Sequence, residues 1–94
     1  MPSAKYVLAS GLAAGGTGDT HRIKAEAPFL IQTGGGYTGT TTVEHSVDGT
    51  NWVTLQAMSS GDMYDVGHPI KYLRVNGTHT GSAANVYLLE EVIG

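Results

Sequence analysis

Along this chain apolar residues recur at every second position, and no helical stripe at three- or four-residue spacing persists. The longest alternation runs from His21 to Gln32. It sets Ile23, Ala25, Ala27, Phe29 and Ile31 on one side against Lys24, Glu26, Pro28, Leu30 and Gln32 on the other. Proline cannot donate to a strand ladder, so the stretch divides into two short strands meeting at Ala27-Pro28. From Thr40 to Val47, Thr41, Val43, His45 and Val47 share a face; from Trp52 to Ala57, Val53, Leu55 and Ala57 alternate with Trp52, Thr54 and Gln56. Asp48-Gly49-Thr50-Asn51 joins these two segments, and Asp-Gly between alternating runs predicts a tight hairpin.

Shorter strands are predicted at Ala4–Ala9, at Met63–Val66 and, after the Gly67-His68-Pro69 interruption, over Ile70–Asn76. The last segment, Ala84 to Ile93, turns Val86, Leu88 and Val92 one way and Tyr87, Leu89 and Ile93 the other. With both faces apolar, it reads as a central strand or one covered by a neighbour. Between the strands lie Ser10–Thr20, rich in Gly and Ala, the Gly34-Gly35-Gly36 run, and the small polar stretch Gly77–Ala84. These are expected as loops, the first of them a flexible one. About six to eight short strands at this spacing predict an all-β chain. The expected fold is a single antiparallel β-sandwich (jelly-roll-like) or a partly open barrel, one domain over residues 1–94 with its flexible segment at about 10–20.

Composition narrows the function classes. In 94 residues the charged share is 14 % and the net charge −3, which gives no basic footprint for nucleic acid or anionic lipid. No apolar run approaches the length of a membrane helix, and no signal-type stretch opens the chain, so neither a membrane partner nor secretion is expected. Cysteine is absent, which removes disulfides, thiol catalysis and Cys-ligated zinc. A small domain without such staples draws on subunit interfaces for stability, so a homo-oligomer is expected. Fourteen glycines would weaken strands by ~0.5–1 kcal/mol each, and most are expected in turns instead.

Candidate chemistry is sparse. His21, His45, His68 and His79 match no compact metal-ligand spacing, and His45 alternates in phase with Val43 and Val47 as a packed strand residue. Asp62 and Asp65 lack the rest of a calcium loop and read as polar strand ends. Glu90 and Glu91 fall on opposite faces of one strand and form no acid/base couple. The Gly34–Gly36 run has no helix or GK[ST] context for phosphate. No catalytic, metal or cofactor-binding residue is assigned. Among the aromatics, Trp52 is expected in the core. Tyr37, beside three glycines, and Tyr64 are the candidates for facing a partner.

Two motifs carry a resemblance. TTVEHSVDGTNWVTL (Thr41–Leu55) holds an S-x-D-G-x-x-W hairpin in Ser46, Asp48, Gly49 and Trp52, preceded by the Gly-rich GGGYTGTTTVE. Pro69-Ile70-Lys71-Tyr72-Leu73-Arg74-Val75 then reads like the returning strand P-[IV]-K-Y-[IL]-R-V. Over roughly residues 28–93 the chain resembles small β-sandwich structural proteins of tailed bacteriophages, of which some decorate or cement capsids and others sit on tails or fibres. The resemblance implies a non-enzymatic virion protein, assembled in the host cytoplasm, that acts as a homo-oligomer such as a trimer and whose partner is the major capsid protein or another virion protein. It carries over no catalytic residue; the four hairpin residues match as structure. The same hairpin also looks like part of discoidin-like carbohydrate-binding modules. A sugar-binding module with Tyr37 or Tyr64 stacking on the rings is therefore the alternative, beside a tail, neck or fibre component.

Overall fold

The structure, a computed structural model, describes residues 3–23, 29–66 and 70–91. Eight strands follow in chain order: β1 (Ser3–Leu12), β2 (His21–Arg22), β3 (Phe29–Gly34), β4 (Thr40–Ser46), β5 (Val53–Ser59), β6 (Met63–Val66), β7 (Tyr72–Asn76) and β8 (Ala84–Glu91). They form two four-stranded sheets, β1-β8-β3-β6 and β2-β7-β4-β5, with every pairing antiparallel. This is jelly-roll order, a recognised way of closing a sandwich from two Greek keys. The pairs β4–β5, β3–β6, β2–β7 and β1–β8 nest one inside another. The chain is thus one long hairpin, reversed after Ser46 and wrapped over itself. The expected junction at Ala27-Pro28 and the Gly67-His68-Pro69 break lie outside the described residues.

Alternation decides which side of each strand is buried. Ile31, Val86 and Leu88 from the first sheet and Val43, Leu73 and Val75 from the second are fully buried against one another, joined by Leu8, Met58, Val66 and Ile70. Each such side chain withdrawn from water contributes about 1.5–3 kcal/mol. The two-sided apolar pattern of β8 is explained by its place between β1 and β3. Its inner residues Val86 and Leu88 fill the core, while Tyr87 and Leu89 lie on the outer face.

The alternation fails as a guide in β5. Val43 pairs with Gln56 but Glu44 with Thr54, so Leu55 is an extra residue in the ladder. Such a bulge inverts the facing of everything before it. Met58 is buried, Leu55 packs against the core only in part, and Val53 and Ala57 are exposed.

The Ser10–Thr20 stretch, expected as a linker or loop, is strand at its start and hydrogen-bonded to the sandwich beyond it. Its first three residues extend β1, and the remainder is tied to the end of β7. Gly15 N–H donates to the Gly77 carbonyl, Gly77 N–H to that of Gly16, and Gly18 N–H to that of Val75. Close approach makes this possible: a Cβ at residue 77 would run into the Ala13 carbonyl oxygen.

Candidate interaction surfaces

The reversal between β4 and β5 occupies residues 47–52, longer than the tight turn expected, and its geometry is set by two side chains. Ser46 Oγ accepts from the N–H of Gly49 (2.9 Å) and of Asp48 (3.2 Å) and donates to Asp48 Oδ1 (2.8 Å). Asp48 Oδ1 accepts from the N–H of Thr50 (2.9 Å) and Asn51 (2.8 Å), and its Oδ2 from Asn51 Nδ2 (2.8 Å). Side chains of this type mimic a backbone turn, and Gly49 supplies the positive φ of 78° that the path needs. The hydrogen bonds favour the ionised carboxyl and hold Asp48 well below the usual carboxylate range, led by the Asn51 and Thr50 N–H groups, with the Asn51 and Ser46 side chains adding to them.

A titration prediction follows from that direction. The stabilisation by ionised Asp48 is complete above the unfolded carboxyl's pKa of about 3.9 and is lost progressively as pH falls below it toward the lower folded value. Between pH 5 and pH 2 the melting temperature of Asp48→Asn is therefore expected to fall less steeply than that of the parent protein. Parallel curves from calorimetric melts would refute this account of the turn.

The two resembling segments meet on the outer face of the second sheet. The Arg74 guanidinium lies 4.4 Å from the Trp52 ring centroid, and its Nε donates to Glu44 Oε1 at 2.7 Å. Asn76 Nδ2 donates to the same Oε1 at 2.6 Å. At the turn, the Tyr72 ring lies against Gly49, 3.6 Å from where a Cβ would stand. Trp52 is thus half-buried beneath an arginine and outside the core cluster, contrary to the core position expected of it. The cause is local: the chain reaches β5 only at Val53, so Trp52 remains at the reversal, beside the β7 cation.

Tyr37 also departs from expectation. It is 6 % exposed, its hydroxyl donates to the Met58 carbonyl at 2.8 Å, and its ring stands 4.9 Å from that of His79. His79, expected in a solvated loop, is itself buried, with Nδ1 2.9 Å from Thr41 Oγ1. Thr38 and Thr80 exchange both backbone hydrogen bonds at 2.9 Å and seal these two loops together. Tyr64 is half-buried and packs against the core from β6. Tyr37 therefore presents no ring to solvent, and Tyr64 does so only in part.

The remaining polar candidates are dispersed. His21 Nε2 sits 2.8 Å from the Leu8 carbonyl oxygen, and His45 is a half-buried strand residue as expected. His68 lies outside the described residues. Asp62 is used structurally, its Oδ2 accepting from Ser59 N–H at 2.8 Å, while Asp65 is exposed on β6. A groove of about 530 Å³ runs between β1 and residues 16–21, with Asp19 and His21 as its ionisable groups. Among the described residues no group of three or more His, Cys, Asp or Glu is placed to hold a metal ion.

The sheet edges are poor templates for strand addition. β1 carries two register shifts, β5 carries one, β2 has two residues and β6 four. The two outer faces differ sharply. That of the second sheet is polar and internally paired through Glu44, Arg74, Asn76 and the Thr42–Thr78 hydroxyl bond. That of the first is apolar: Val7, Met63 and Leu89 are 47 %, 60 % and 41 % exposed, and Leu30, Tyr87 and Gln32 lie among them around a groove of about 300 Å³. The apolar outer side of β8 is visible in the sequence, but this surface is not, because the strands flanking β8 come from distant parts of the chain. Comparison of the chain with protein-family models, curated proteins and solved structures found no match.

Proposed function

We propose that the chain is a non-enzymatic structural protein of a tailed-bacteriophage virion, a decoration or cement protein that binds the major capsid protein on the head surface. The observation that carries this reading is the meeting of its two motif segments. The S-x-D-G-x-x-W hairpin and the returning K-Y-L-R-V strand are far apart in sequence, yet Arg74 stacks on Trp52 and Tyr72 on the turn glycine, as parts of one structural unit. The jelly-roll frame supports the reading by analogy, since viral capsid domains use it. Lectin domains use it too, but the sugar-binding alternative relied on Tyr37 and Tyr64, which face inward.

The mechanism is contact area. A rigid domain held at several capsid subunits at once gains affinity from simultaneous weak engagements, and by bridging neighbours it resists their separation under genome pressure. The test is sedimentation of purified protein with undecorated heads and, separately, with tails of the phage that encodes it. Saturable co-sedimentation with heads is expected. Binding to tails alone would move the protein to the tail, neck or fibre, and binding to neither would end the virion reading.

A further inference from the structure

We infer that the outer face of the β1-β8-β3-β6 sheet is a self-association surface, covered by the same face of a second copy of this chain. Strand registers place two rows of residues across it: Val7–Tyr87–Gln32–Met63 and Lys5–Leu89–Leu30–Asp65. The first row is uncharged, and in the second both central positions are leucine. Val7, Met63 and Leu89 are roughly half exposed, an unusual concentration of apolar surface on a small domain of otherwise solvated strands.

Three observations select a second copy as the occupant. Size is the first. The molecule measures 40 × 29 × 18 Å, and a two-layer sandwich is thinnest across its layers. Contact over about half of the larger rectangle on each copy removes roughly 1,200 Å² in total, the low end of specific interfaces. The second is charge. The chain carries a net −3, which opposes self-association in general, yet this face can meet itself without setting like charges together at its centre. The third is the order of the second row. A two-fold axis along the strands lays the β6 end of each row over the β1 end of the other, which keeps the two Asp65 carboxylates at opposite rims of the contact. Such an isologous contact closes, so it yields a dimer and no fibre.

The geometry explains why β8, a central strand, turns Tyr87 and Leu89 to its outer side. Along the first row the same axis lays Met63 of one copy, a side chain flexible enough to fit an irregular gap, over Val7 of the other.

Sedimentation equilibrium across the micromolar range tests this. A reversible dimer is expected, with Met63→Lys and Leu89→Lys each weakening it at least tenfold. Val53→Lys, at an equally exposed residue of the opposite sheet, should leave it unchanged. Circular dichroism is expected to show each variant folded. A monomer at all concentrations, a trimer, or a dimer indifferent to both lysine variants would overturn the inference. If the monomer instead binds heads and loses that binding in Met63→Lys, the face belongs to the capsid, and the virion reading survives without this one.

Discussion

Leu88→Ala is expected to lower the unfolding free energy by about 2–5 kcal/mol, the range for removing a leucine side chain from a packed core. Leu88 is completely buried on β8, the strand between β1 and β3, and lies opposite Ile31 in the ladder, facing the second sheet. The loss combines the transfer free energy of the deleted methyls with a void that a two-sheet core cannot easily close. For a domain of this size, whose total stability is about 5–15 kcal/mol, that is a large fraction. Urea titration measures it directly, with Val47→Ala as the reference. Val47 is 77 % exposed, and its truncation should change stability by no more than about 0.5 kcal/mol. Comparable losses at both positions would mean that the sandwich core is not where the structure puts it.

Gly35→Ala is the second large effect. Gly35 follows β3 with a φ of 118°, a conformation L-residues rarely adopt, and a Cβ there would run into the Ala83 carbonyl oxygen. The obstacle is backbone, which cannot swing aside as a long side chain can. Strain in φ and the forced displacement of residues 83–84 together are expected to cost about 2–5 kcal/mol. Gly36→Ala serves as the comparison: its φ is also positive, at 71°, but nothing lies within 4 Å of the added carbon. Only the backbone term remains there, about 1–2 kcal/mol. Thermal melts of the two variants separate collision from conformation; equal losses would remove the collision from the account.

The strands themselves were legible in the sequence because each is a local pattern. Period-two alternation located β3 to β8, and the Asp-Gly pair marked the reversal between β4 and β5. Their order was not legible, since β1 and β8 are neighbours through pairings such as Ser3 with Glu91, which no local pattern encodes. Side-chain roles failed where a single backbone event intervened. The extra residue at Leu55 broke the alternation of β5, and the loop pairing of Thr38 with Thr80 carried Tyr37 and His79 inside. Trp52 was read as a core anchor because large aromatics usually are, and Arg74, remote in sequence, gave it another place. The polar Gly/Ala stretch after β1 carried no pattern at all, yet its backbone found partners in Val75 and Gly77.

The nested pairing of the strands bears on how such a chain can find its structure. Direct closure of Ser3 onto Glu91 would join nearly opposite ends of an unfolded coil, and the entropy lost grows with the length of the closed segment. Beginning at the Asp48 turn, each pair once formed leaves only a short connection for the next outer pair to span, so no step has to close the full contour. High-contact-order sheets are slow folders because of that search, and a wrapped hairpin divides it into local steps that start from one well-defined reversal.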